Sequence, residues 1–209
     1  ITAIPPRKEF EISPNQSKTI ELKLRNDSDT LYYYHVEVTD FIVSGLNGTS
    51  VPVTADTSGR WALSSWVTTP NLIPVDGNST QIVRITVTAP SNALPGGHYA
   101  MITYRPNPNL ARGELQDTGA QIGQRTGTLL YATVPGDITQ DALIKKFTAP
   151  QFTEYGPIDF YLQVENLSDV HIQPTGTITI KDMFGKKVHT LKVEMENIFP
   201  KASRQLVNQ

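Results

Sequence analysis

Apolar and polar residues alternate in one short run after another along this chain, and no run keeps a helical period. Successive side chains of a strand point to opposite faces, so the pattern describes half-buried strands. Ile20, Leu22 and Leu24 alternate with Thr19, Glu21, Lys23 and Arg25. Tyr34, Val36 and Val38 alternate with His35, Glu37 and Thr39, and Phe41 and Val43 then fall on the other parity, which predicts a bulge near Asp40. Val83–Val87, Ala100–Tyr104, Leu130–Val134 and Ile158–Val164 repeat the pattern. Ile178 and Ile180 lead into the turn Asp182–Gly185, and Leu191, Val193 and Met195 lead out of it, as in a hairpin. Only Ser58–Ser65 and Ile138–Leu143 leave room for one or two helical turns. Strands at this spacing, punctuated by Gly, Pro, Asn and Asp, predict an all-β chain of immunoglobulin-like sandwiches with no helix beyond about three turns.

A repeat divides the chain. Glu21–Asp29 (ELKLRNDSD) is echoed by Tyr161–Asp169 (YLQVENLSD), an alternating strand followed by Asn-x-Ser-Asp. Asn and Asp there hold a turn with their side chains. Two tandem immunoglobulin-like domains are expected, at 1–137 and 138–209. The second is short of the roughly 100 residues such a domain uses, and about two strands are unaccounted for. It is expected to be truncated or to be completed by another chain, with Ile1–Ile4 as one donor strand.

The composition removes several classes of function. With no cysteine there is no disulfide framework, thiolate metal site or cysteine nucleophile. Eighteen basic residues against 20 acidic ones do not describe a chain that neutralises phosphates, so no nucleic-acid partner is expected. No apolar run reaches the roughly 18 residues of a membrane-spanning helix. The opening Ile-Thr-Ala-Ile reads as a processed or trimmed N-terminus.

Residues with chemistry are scattered. His35, His98, His171 and His189 have no metal-ligand spacing, and His98, beside Gly96 and Gly97, reads as a packing or hydrogen-bonding residue. Asp27, Asp29 and Asp169 lack calcium-loop spacing and read as turn caps. No nucleophile elbow or phosphate loop occurs, so neither catalytic, metal nor cofactor residues are expected. Trp66 reads as core; Trp61 is a candidate platform for a sugar ring. The polar loop 107–126, flanked by Arg105 and containing Arg112 and Arg125, is a candidate partner surface with Trp61. Ala93–Tyr99 (ALPGGHY), with Pro95, Gly96 and Tyr99, suggests a tyrosine corner in which the Tyr99 hydroxyl bonds backbone near Asn92–Pro95. Five Asn-x-Ser/Thr sequons start at Asn15, Asn26, Asn47, Asn78 and Asn166.

The series Ile12-Ser-Pro, Ile20–Asn26, Ser65-Trp66-Val67, Val83–Pro90, Ala93–Tyr99 and Gly127–Gly136 resembles the peptidoglycan-binding domain of WxL-interacting proteins. Phe160–Gly185 resembles the immunoglobulin-like domain that follows it in bacterial surface proteins. The resemblance implies a non-enzymatic, extracellular cell-surface protein for cell-envelope attachment or adhesion, with cell-wall glycan or a surface protein as partner. Two alternatives stand beside it: a subunit of a filament or surface layer that self-associates through an open sheet edge, and a pilus-chaperone-like protein.

Overall fold

Fifteen strands and two short 3-10 turns make up the described part of the chain, residues 1–53, 59–107 and 126–208 of a computed structural model. The fold is all-β. Among the described residues no helix is long and apolar enough to cross a membrane. Contacts divide the chain into two units, one of 1–42 with 52–136, the other of 43–51 with 137–209.

In the first unit, β1 (Thr2–Ile4), β3 (Ser17–Arg25), β8 (Thr80–Thr88) and β6 (Val67–Thr68) form one sheet in the order β1-β3-β8-β6. The second sheet runs β2 (Arg7–Glu11), β10 (Thr126–Val134), β9 (Gly96–Pro106), β4 (Tyr32–Ser44) and β5 (Thr49–Val53), with β7 (Leu72–Val75) also paired to β4; residues 43–51, at the end of β4 and the start of β5, are counted with the second unit. The inward alternation builds the core: Ile20, Leu22 and Leu24 meet Val83, Ile85 and Val87 across the β3–β8 ladder, and Ala100, Ile102, Tyr104, Leu130 and Val134 face them.

No bulge interrupts the ladder up to Asp40. β4 pairs β9 in one unbroken register from Tyr34↔Pro106 to Asp40↔Ala100. The change of parity has another cause: Asp40 and Phe41 are both buried, one on each face of the sheet. Of the expected helical turns, 3-10 turns form at Gly59–Trp61 and Ser64–Trp66, while 138–143 holds the start of a strand instead.

The second unit contains β11 (Ala142–Thr148), β12 (Phe160–Asn166) and β15 (Ser203–Asn208) in the order β11-β12-β15. The hairpin β13 (Thr175–Lys181) and β14 (Lys187–Glu194) forms a separate two-stranded sheet. Its turn is held by Asp182, whose Oδ1 accepts from the Phe184 and Lys186 amides, and Gly185 takes the left-handed φ of +81°. Leu162, Val164, Val193, Met195 and Ile198 form the core. Ile1–Ile4, the expected donor strand, is already engaged: Thr2–Ile4 pairs with Lys23–Arg25 in the first unit, and Ala3 is buried there.

The repeated Asn-x-Ser-Asp turn is built alike in both units. Asn26 and Asn166 close β3 and β12, and both are buried. Asn26 Nδ2 lies within 2.8–3.2 Å of the Thr30, Val75 and Asp76 carbonyls, and its Oδ1 accepts from Ser28. Asn166 Nδ2 donates to the Val170 and Ile198 carbonyls at 2.9 and 2.7 Å, and its Oδ1 accepts the Ser168 amide at 2.7 Å. These two sequons are therefore closed to glycan by their own hydrogen bonds, whereas Asn15, Asn47 and Asn78 are exposed.

Asn166→Ala strands two carbonyls and an amide in a buried place, where each unmet group costs about 1–3 kcal/mol. We expect a loss of at least about 2 kcal/mol in urea unfolding of the second unit, with Asn26→Ala acting likewise on the first. The exposed control Asn71→Ala should stay within about 0.5 kcal/mol of the parent.

Candidate functional site

β9 has two buried faces. Ala100, Ile102 and Tyr104 point into the sandwich, and the residues between them point to the opposite face of the sheet. There Tyr99 meets Phe41 of β4 and Tyr131 of β10, with ring centroids 6.2 and 5.4 Å away, and Phe41 and Tyr131 are 6.3 Å apart. All three rings are buried. The Arg7 guanidinium stands 5.7 Å over the Tyr131 ring and pairs with Glu9 at 3.0 Å. Gly97 makes the cluster possible: a Cβ at Gly97 would lie 2.0 Å from the Tyr99 hydroxyl oxygen. The ring thus folds back along β9 over Gly97.

One end of β9 is clamped by polar groups. Asp40, on the core face of β4, accepts the Leu63 and Ser64 amides at 2.8 and 2.7 Å through Oδ1 and the Ser64 hydroxyl at 2.8 Å through Oδ2. The carboxylate therefore takes up the amides that open the turn Ser64–Trp66. His98, also buried, bridges two segments: Nδ1 faces the Ala62 carbonyl at 3.1 Å and Nε2 the Leu94 carbonyl at 2.9 Å. The Trp66 ring lies 4.3 Å from the His98 ring. Burial holds the His98 pKa below the usual histidine value; the two carbonyls and the Asp40 charge pull it back up by less, and Arg60 adds to the lowering. Arg60 donates to the Pro95 carbonyl at 3.0 Å, and Gly96 turns the chain at φ +120°.

On the other side of the sheet the ladder between β10 and β2 stops at Leu129, and the Thr128 hydroxyl donates to the Pro5 carbonyl at 3.0 Å. β2 runs parallel to β10 for five residues, from Arg7↔Leu129 to Glu11↔Thr133. The Leu129 amide donates to the Pro6 carbonyl at 2.9 Å, which fixes which β10 residues face β2. By alternation Gly127 faces the same side. Pro6 has no N–H to continue the ladder there, and past it the chain leaves for the other sheet as β1. Thr126–Thr128 therefore run past the end of β2.

Of the surface candidates read from sequence, Trp61 and Arg105 are described and lie apart. Trp61 is half-buried beside β9, where Ala62 bridges to Tyr99, and Arg60 stacks 5.8 Å from its ring. Arg105 lies six residues farther along the strand, about 20 Å at the usual rise, and pairs with Glu37. Arg112 and Arg125 lie outside the described residues. Trp66 packs against the core. Asp27 is engaged by Arg25 at 2.6 Å, and this bond lowers its pKa. Among the described residues no three His, Asp or Glu side chains are grouped to hold a metal. The Asp40 clamp was missed as a site; its only signal was the broken alternation of β4.

No family model matches the chain, and no curated protein does. Solved structures do. The class 5 fimbriae chaperone CfaA is 12% identical with a TM-score of 0.52, over 96% of this chain and 82% of that one. A chain of the Salmonella enterica SafA pilin–SafB chaperone complex is 13% identical with a TM-score of 0.50, over 99% and 82%. A chain of the CsuC–CsuE chaperone–tip subunit pre-assembly complex of Acinetobacter baumannii Csu pili is 12% identical with a TM-score of 0.50, over 99% and 86%. The likeness is one of fold, two immunoglobulin-like units in tandem.

Gly97→Ala forces a buried aromatic ring to move, and we expect a loss of about 1–3 kcal/mol, checked by thermal unfolding. His98 contributes a pH dependence of definite sign. Its pKa is lower folded than unfolded, so its share of stability is complete above the unfolded value of about 6.5 and is lost as pH falls below that through the folded pKa. Unfolding midpoints measured from pH 7.5 to 5 should fall, and His98→Gln should flatten that part of the profile.

Proposed function

We propose that this chain is a non-enzymatic, pilus-chaperone-like protein that holds a partner protein subunit by adding one of the partner's strands to the β10 edge. The observation that carries this reading is the edge itself: β2 covers β10 only from Leu129 onward, and the Gly127 backbone faces the side that Pro6 leaves without a donor. An extended segment laid there bonds through its main chain, which supplies affinity with little demand on sequence. The pilin and tip-subunit complexes of like fold supply the partner class. The reading keeps the extracytoplasmic location expected from the sequence. Attachment to cell-wall glycan, the first expectation there, gains no support from these neighbours.

Co-expression with the fimbrial subunits of its own source should yield a one-to-one complex in which the Gly127 amide becomes protected from hydrogen exchange. Purified peptidoglycan serves as the second arm. Binding to peptidoglycan with no complex to any subunit would return the chain to cell-wall attachment.

A further inference from the structure

The β13–β14 hairpin carries its bulkiest apolar side chains out at its turn. Met183 and Phe184 stand there 83% and 87% exposed, and Val188, just past the turn, is 64% exposed. Met183 and Val188 also border an apolar groove of about 1030 Å³, with Phe152 and Tyr155, both exposed, on the same groove. Apolar groups gathered in the open in this way mark a surface that meets something.

The turn that presents them is fixed before any contact. Asp182 Oδ1 accepts the Phe184 and Lys186 amides at 2.9 Å each, the Asp182 amide donates to the Lys186 carbonyl at 2.9 Å, and the Gly185 amide donates to the Asp182 carbonyl at 3.0 Å. Little is left to order when the tip docks. Its charge is one-sided. Residues 181–187 hold three lysines, Lys181, Lys186 and Lys187, against the single carboxylate of Asp182, which is turned to the backbone amides. The ladder sets Lys181 directly opposite Lys187, a pairing of like charges that costs stability in a hairpin left in water. Among the described residues the ion pairs of the second unit are made by Lys145, Lys201 and Arg204, and none involves the three lysines of the tip. Glu194, the other acid of the hairpin, lies opposite Thr175 at the far end of the ladder.

We propose that this hairpin tip is a contact point for an anionic lipid surface. Met183 and Phe184 enter the boundary between headgroups and acyl chains, and Lys181, Lys186 and Lys187 lie among the lipid phosphates. Two features that are unfavourable in water are both relieved there: the apolar tip leaves water, and anionic headgroups offset the repulsion between Lys181 and Lys187. The form of the tip favours lipid over protein. A two-residue apolar point enters a soft surface anywhere, whereas a protein partner must supply a pocket cut to fit it. Lysine suits the place, because its apolar stem lies along the boundary while the ammonium reaches the headgroups. The Tyr155 ring, apolar with a polar end, is of the kind that sits at that level of a bilayer. The proposal does not rest on the β10 edge, and either reading can fail without the other.

Flotation of the whole chain with lipid vesicles tests this. Vesicles of equal parts phosphatidylglycerol and phosphatidylcholine should bind it roughly tenfold or more tightly than pure phosphatidylcholine vesicles. That binding should weaken as salt rises from about 0.05 to about 0.5 M, which shortens the screening length about threefold. Met183→Ser combined with Phe184→Ser should lower vesicle binding roughly tenfold or more and leave the melting temperature in place, since both side chains are exposed. Lys187→Glu should also weaken vesicle binding while holding or raising the melting temperature, because it removes the opposition to Lys181. A purely structural role would move stability and binding together. Phe184→Trp should keep the binding, and its emission should shift to the blue on anionic vesicles and be quenched by brominated acyl chains. Equal binding to both vesicle types, binding that survives the paired serine substitutions, or an unshifted emission of the Phe184→Trp protein would each overturn the proposal. So would paired serine substitutions that spare vesicle binding and weaken a complex with a fimbrial subunit, which would assign the tip to a protein partner.

Discussion

Each unit depends on one buried asparagine. A strand that ends inside a sandwich leaves its last backbone groups away from water, and they must be paired. Asn26 and Asn166 solve this with a side chain that both accepts and donates. The Oδ1 atom shapes the following turn through Ser28 or Ser168, while Nδ2 reaches segments 49 and 32 residues downstream at Val75 and Ile198. One planar amide thus sets where the chain turns and how the later segment lies against it. Aspartate has no donor for the carbonyls and serine is too short, so the residue type follows from the geometry.

Around that anchor the two units diverge in what they cover. In the first, the large sheet is buried on both faces: aliphatic residues on one side, the Phe41–Tyr99–Tyr131 cluster on the other. Asp40 and His98 share the aliphatic side because each finds backbone partners there: Asp40 the amides of the 59–66 segment, His98 its Ala62 carbonyl and the Leu94 carbonyl. A buried carboxylate among apolar strands is tolerable only with such bonds. The second unit has the same anchor, and its β12 pairs with β15 as β3 pairs with β8, but beside its small core an apolar groove stays open.

Among the backbone groups that the described strands leave unpaired, those of β10 beyond β2 and those of β13 differ in kind. The β10 edge belongs to a complete sandwich whose core is closed without it, which suits a reversible partner. The β13–β14 hairpin borders an open apolar groove, and anything seated there removes large hydrophobic side chains from water.

Much of the fold was legible in the sequence. Period-2 alternation in Lys18–Arg25, Val83–Thr88 and Phe160–Asn166 reports burial of one face, a local property of each strand. The repeated Asn-x-Ser-Asp turn was legible because its hydrogen bonds start within four residues. What only the tertiary structure decided are the relations between distant segments. The parity change at Asp40 and Phe41 reads as a bulge from sequence because alternation records burial without saying which face is buried. Ile1–Ile4 reads as a free donor because nothing local shows that Arg25 lies beside it. Trp61 and Arg105 read as candidates for one surface because residue type carries no distance, whereas Trp61 lies beside the Tyr99 part of β9 and Arg105 six residues farther along that strand. The Gly127 edge depends on where Pro6, some 120 residues earlier, withholds its missing N–H, and no periodicity within either strand carries that information.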